Sequence, residues 1–215
     1  RLHYSNRGIP VLCPMYLYED GKAKPNVNSE MVSMITEKTG ISFSESLVES
    51  ETEFDIMDLF DYSYGILNSP LYIEKYIDLL KIEFPKVPIP NGNEMFWRIV
   101  AYGRRLRKLH LLEEDIGNPM GISFEGVGDN IVSSRKLKPE GLYINRTQLF
   151  TNVTEEIWDF CYGGYHGLQK WFKDRNGMKL SEDDIQHVIR VLNVFEKTIS
   201  IREDLDICMD EFGLI

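Results

Sequence analysis

The sequence has no run of about 18 apolar residues, so no segment is expected to span a membrane, and no signal-peptide pattern opens it. It has only three cysteines, Cys13, Cys161 and Cys208. Odd in number and far apart, they argue against a disulfide framework and fit reduced, buried thiols in a cytoplasm. His3, His110, His166 and His187 are scattered, with no Cys or carboxylate at metal-ligand spacing. There is no Gly-x-x-x-x-Gly-Lys-Ser/Thr loop to cradle a nucleotide and no Gly-x-Ser-x-Gly elbow to raise a nucleophile. Asn118-Pro-Met-Gly121 approaches the Asn/Asp-Pro-Pro-aromatic loop that holds a target amino group in amino-methyltransferases, but it lacks the second Pro and the aromatic. The acid pairs Asp183-Asp184 and Glu113-Glu114-Asp115 are accounted for by helix capping and solvation. A domain with no catalytic machinery, metal or cofactor of its own is expected.

What is present describes a globular chain. Its 215 residues are 43% hydrophobic and 27% charged, enough to bury one good core or two small ones. It opens on Arg1 rather than Met, so it reads as a piece of something longer. The net charge of −10 argues against a simple nucleic-acid binder, but the charge is unevenly spread. Residues 1–62 hold 11 acids and 5 bases, and residues 181–215 hold 9 acids and 3 bases. The middle, 63–180, holds 14 acids and 16 bases. Affinity for DNA depends on local phosphate contacts rather than on the sum over a chain, so the middle is where a polyanion would be met, weakly and with marked salt sensitivity.

Taken in order, Val11–Tyr18 reads as a strand that Pro14 confines to an edge. Asn26-Val-Asn-Ser-Glu30 caps a helix to about Thr36 that ends at Gly40. Residues 41–53 read as a linker or surface loop, and Phe54–Leu67 as an amphipathic helix. Ser69-Pro70 places an N-cap and a first-turn Pro ahead of another helix, to about Leu80. Phe84-Pro-Lys-Val-Pro-Ile-Pro90 reads as a rigid extended connector. The helix from Glu94 to about Leu112 presents Phe96, Ile99, Val100, Gly103, Leu106 and His110 on one face. It also carries Arg98, Arg104, Arg105, Arg107 and Lys108 with no acid among them. That is the densest basic cluster in the chain, either a solvated face or a phosphate contact. Gly121–Val127, Asn130–Leu137 and Gly141–Ile144 read as strands, Glu155–Tyr162 as a last strand, and Ser181 to about Asp204 as a closing helix before an acidic tail. The fold class expected is α+β, with helices at both ends around a small, mainly antiparallel sheet. Residues 1–90 would form one part and 91–215 another, within one compact unit.

Trp158 to Gly177 stands out: a Gly163-Gly164 turn opens onto a short basic, aromatic helix. Tyr165, Leu168, Trp171 and Phe172 recur at helical spacing as a buried stripe, with His166, Gln169, Lys170 and Lys173 opposite and Arg175 just beyond. The run from Gly163 to Arg175 resembles the Gly-Gly-Tyr-x-x-Leu-x-Lys-Trp-Leu-Lys-x-Arg signature of the C-terminal specificity domain of type ISP restriction–modification enzymes, with Phe172 in place of an apolar Leu. Met15–Glu19, Lys24–Asn28, Tyr64–Pro70 with Lys75-Tyr76, Leu80–Pro90, Leu109–Leu112 and Tyr143–Asn145 are similar to the same family in the same order.

The resemblance implies a non-catalytic DNA target-recognition domain. Its longer parent chain would be a DNA adenine-N6 methyltransferase with restriction endonuclease activity, using S-adenosylmethionine, ATP and Mg. Its partners would be double-stranded DNA and the methyltransferase domain of the same chain, to which residues 1–90 would link. Candidate DNA contacts are Arg104, Arg105, Arg107 and Lys108; Arg135, Lys136, Lys138, Asn145, Arg146 and Gln148; and Lys170, Lys173 and Arg175. The last three belong to the signature, so they suit architecture or phosphate contact better than base reading, and base readers would lie in variable stretches such as 117–138. The alternative is a protein–protein interaction module that keeps the same fold.

Overall fold

The computed structural model describes residues 13–162 and 164–214. It is an α+β fold in two compact units: the described residues up to Arg107 with the C-terminal stretch from Asp204, and Lys108–Glu203. Among the described residues no helix is long and apolar enough to cross a membrane.

The first unit opens on an antiparallel pair, β1 (Tyr16–Glu19) and β2 (Lys22–Pro25). The expected strand from Val11 thus starts later, and its first two residues lie outside the described ones. Helix α1 (Ser29–Thr39) begins where Asn28 accepts hydrogen bonds from the Glu30 and Met31 amides, and ends where Gly40 turns left-handed at φ 74°. The stretch expected as a linker contains a short parallel pair, β3 (Ser42–Phe43) and β4 (Glu53–Phe54). Helix α2 (Ile56–Asn68) starts with a capping box between Asp55 and Asp58, so Phe54 belongs to a strand rather than to the helix. Ser69 then caps α3 (Pro70–Leu80). The Pro-rich connector forms neither helix nor strand; the hydroxyls of Tyr62 and Tyr72 donate to the carbonyls of Pro88 and Lys86 and anchor it. Helix α4 (Asn93–His110) buries Phe96, Ile99, Val100 and Leu106 as its periodicity predicts. It crosses α2 at a pair of glycines: a Cβ on Gly103 would lie 1.8 Å from the Asp61 carbonyl oxygen, so no larger residue fits.

The second unit is a four-stranded antiparallel sheet under helices. Its strands β5 (Phe124–Glu125), β6 (Lys136–Lys138), β7 (Gly141–Tyr143) and β8 (Leu149–Thr151) lie in the order β5-β8-β7-β6. Strand β8 has no counterpart among the expected elements. The last strand expected over Glu155–Tyr162 is instead a single turn, α5 (Glu155–Trp158), capped by Thr154. Helices α6 (Gly167–Asp174) and α7 (Glu182–Glu211) complete the chain. The tail expected after Asp204 is therefore helical. Phe150, Leu142, Ile144, Phe172, Val188 and Leu192 form the centre of the core of this unit. Of the three free cysteines only Cys208 is buried, its thiol pKa pushed up by that burial; Cys13 is exposed and Cys161 half-buried, contrary to expectation.

Candidate nucleic-acid interface

Three of the five bases of α4, Arg98, Arg104 and Arg107, are paired within the first unit. The guanidinium of Arg107 grips Asp61 with two hydrogen bonds of 2.6 and 3.1 Å, and Asp61 is fully buried. Arg104 donates to Asp58 at 2.6 Å and to Asp61 at 3.4 Å. A buried carboxylate needs a partner of this kind, because taking a charge out of water costs several kcal/mol unless it is paired. Burial also pushes the Asp58 pKa up, against the pull of Arg104. Arg98 pairs with Glu211 at 2.7 Å, and in the second unit Lys108 reaches Glu114 at 3.4 Å. Arg105 is exposed, its guanidinium 6.0 Å from the Tyr102 ring. Of the four candidates on α4, Arg104 and Arg107 are thus internal ion-pair partners, a role invisible without the acids of α2 beside them.

The cations of the sheet are placed differently. Lys136 is exposed, and no hydrogen bond or ion pair of its side chain is present among the described residues. Lys138 lies 4.0 Å over the Tyr143 ring. Arg135 makes long contacts to the Phe172 carbonyl at 3.5 Å and the Asn176 side chain at 3.4 Å, which set it beside the end of α6. The 177–180 stretch runs along 130–132, with Gly177 donating to the Val132 carbonyl and Leu180 to that of Asn130. Lys179 consequently stands opposite Ile131. This exposed lysine is not among the sequence candidates, because only a long-range pairing brings it here.

The β7–β8 turn presents Arg146 between two amide side chains that hold the turn. Asn145 accepts from the amides of Thr147 and Gln148 and donates to the Ile131 carbonyl at 3.2 Å and to Gln148 at 3.0 Å. Gln148 is 3% exposed and clasps Asn130, accepting from its backbone amide at 2.8 Å and donating to its side chain at 2.6 Å. Asn145 and Gln148, candidate DNA contacts in the sequence, spend their hydrogen-bonding groups on building the turn instead. Arg146 is exposed, and no hydrogen bond or ion pair engages it among the described residues. It borders an open hollow of about 350 Å³ lined also by Asp129, Ile131, Ser133 and Thr147.

On α6, Leu168 and Phe172 are buried and Trp171 half-buried, as the spacing predicts. Tyr165 is not part of the stripe: it is 61% exposed, because paired hydrogen bonds between the backbones of Tyr162 and Tyr165 make a tight turn ahead of the helix. Gly163 lies outside the described residues. Gly164 takes φ 78°, which a non-glycine residue resists. Gln169 holds the Trp158 carbonyl and Asp159, and Lys170 pairs with Asp174. Arg175 stacks 3.7 Å over Trp171 and reaches Asp184 at 3.5 Å. Ser181 and Arg175 together hold the Asp184 pKa down, the Ser181 amide contributing most. Lys173 alone of the signature cations is exposed with no partner among the described residues. Beneath Tyr162 sits a group that sequence reasoning leaves in a helix face: Nε2 of His110 meets the Tyr162 hydroxyl at 2.8 Å and that of Thr198 at 3.0 Å. Burial, with help from Arg202, pushes its pKa down to about 4.

Arg135, Lys136, Arg146, Lys173 and Lys179 thus stand exposed on or beside β6, on the β7–β8 turn, on α6 and on the 177–180 stretch, with few or no internal partners. Such a surface can neutralise phosphates.

The fold recurs in solved structures. The DrdV–DNA complex is 19% identical, with a TM-score of 0.67 over 88% of this chain and 21% of that one. The ATP-dependent Type ISP restriction–modification enzyme LlaBIII bound to DNA is 18% identical, with a TM-score of 0.60 over 88% and 13%. A nuclease-deletion mutant of the Type ISP restriction–modification enzyme LlaGI, in complex with a DNA substrate mimic, is 21% identical, with a TM-score of 0.52 over 75% and 14%. The chain therefore spans between 13% and 21% of the length of these structural relatives. No curated protein matches it. The Type ISP C-terminal specificity domain matches residues 1–204, nearly the whole sequence, and the chain belongs to that family.

Proposed function

We propose that the domain binds double-stranded DNA through the free cations of its second unit and selects the target sequence for a larger restriction–modification enzyme. In this reading the duplex is held in register so that an S-adenosylmethionine-dependent methyltransferase domain of the same polypeptide can flip and methylate an adenine at N6. The family match over residues 1–204 carries the reading. The relatives of similar fold support it, since all three are DNA complexes and each is several times longer than this chain. That extra length leaves room for the methyltransferase, a nuclease and an ATPase using ATP and Mg. The exposed apolar side chains Ile77, Leu79, Ile82 and Phe84 of the first unit support the methyltransferase domain as a neighbour, and a cytoplasmic location goes with the whole.

The test is a genome-wide map of N6-methyladenine in cells carrying the full-length gene, compared with cells whose copy lacks this domain. One asymmetric motif, methylated only when the domain is present, is the expected result. Identical maps would contradict target recognition and favour the protein-interaction module.

A further inference from the structure

We infer that Arg146 is a base-reading residue of this domain, contacting the edge of one guanine in the major groove. The inference rests on the proposed DNA recognition and names the side chain that discriminates at one base pair.

The first observation is the contrast between the residue and its mount. Arg146 is exposed and uncommitted, yet the turn beneath it is fixed by the Asn145–Gln148–Asn130 hydrogen bonds described above. The hydroxyl of Thr147 adds a further bond, to the Val127 carbonyl at 2.8 Å. The neighbouring loop is pressed against this turn: a Cβ on Gly126 would lie 2.0 Å from the Thr147 carbonyl oxygen, and one on Gly128 would lie 2.3 Å from Oε1 of Gln148. Gly126 meets backbone and excludes any larger residue, whereas a side chain at Gly128 would have to displace the hydrogen-bonded Gln148. A phosphate contact needs little of this, because phosphates repeat along the whole backbone and a flexible lysine can find one. A base edge has to be met at one place and one angle, and a rigid mount lowers the ordering cost of doing so.

The second observation is chemical. A guanidinium is a planar fork of donors that matches O6 and N7 of guanine, the commonest specific contact in the major groove. Asp129 lines the same hollow; one of its carboxylate oxygens accepts from the Ile131 amide at 3.0 Å, and the second is an acceptor of the kind the cytosine amino group needs. Donor fork and acceptor together suit a G·C pair. Lys179 and Arg135, anchored along 130–135, supply the phosphate contacts that would set the register.

The experiment selects bound duplexes from a randomised library with the full-length protein and sequences them. It uses the wild type, Arg146→Ala, Arg146→Lys and Lys173→Ala. The wild type is expected to enrich one motif. Arg146→Ala should keep that motif except at one G·C pair, where preference falls by about tenfold or more. Arg146→Lys should retain part of it, and Lys173→Ala should keep every position while binding more weakly. Arg146 is exposed, so its variants should fold, and unchanged melting would show that they do. If Arg146→Ala binds evenly weaker with all positions preserved, Arg146 is a phosphate contact and the inference is wrong. If the wild type enriches no motif, the underlying proposal of target recognition fails, and this inference falls with it.

Discussion

Arg104 and Arg107 of the first unit and Arg146 of the second are used in opposite ways. In the first, Arg104 and Arg107 turn toward Asp58 and Asp61, two buried carboxylates of α2. In the second, Arg146 is left without an internal partner among the described residues, on a turn whose polar groups are otherwise satisfied. The densest basic run in the sequence is therefore the least available for DNA, and a sparse set of cations scattered along the chain is the most available. Charge density along a chain measures neither burial nor pairing. What counts is whether an acid from another element reaches the cation first.

The largest effect expected from breaking this contrast is in the first unit. Arg107→Ala leaves Asp61 buried without its bidentate partner and should destabilise the chain by about 3–5 kcal/mol, measured by urea unfolding. A stable Arg107→Ala variant with weakened DNA binding would reverse the assignment of this residue. Trp171→Ala comes next. It removes a half-buried ring from the core of the second unit together with the surface on which Arg175 stacks, and should cost about 3 kcal/mol. An unchanged melting temperature would mean that this side of α6 is a contact surface instead.

His110 provides a smaller effect with a defined sign. Its pKa falls from an ordinary value near 6.5 in the unfolded chain to about 4 in the fold. Between those values the unfolded state binds the proton and the folded state does not. The stability associated with neutral His110 is thus fully present above pH 6.5 and is lost as the pH falls toward 4, on the order of 3 kcal/mol. His110→Gln should flatten this part of the stability–pH curve relative to the wild type. Equal slopes in the two proteins would show that His110 titrates normally.

The legible parts of the fold are those governed by neighbours in sequence. The Asn28 and Gly40 caps, the Ser69-Pro70 start and the Ser181–Asp184 capping box each lie within a few residues of the groups they satisfy. Strand β8 escapes a sequence reading because three residues carry almost no period, and its identity comes from pairing with β5 and β7. Over Glu155–Trp158 the β-forming residues suggest a strand, but Thr154 with two acids in the first turn makes a helical turn. Tyr165 fits the helical spacing and is excluded from the stripe by the turn ahead of it. For the site, residue type is readable and commitment is not. Gln148 and Arg104 look like DNA contacts until Asn130 and Asp58 are placed beside them. One signal is available: Asp58 and Asp61 sit within an otherwise apolar helix pattern, and buried acids there require basic partners elsewhere.

In the proposed reading, DNA is held by the free cations of the second unit and not by the basic run of α4. The most direct measurement is the salt dependence of duplex binding by the full-length protein. It compares Lys136→Ala with Lys173→Ala, combined, against Arg105→Ala, an exposed residue of α4. The slope should be shallower by about 0.9 for each phosphate that the double variant no longer neutralises, and unchanged for Arg105→Ala. A shallower slope in Arg105→Ala, with the double variant unchanged, would contradict that reading.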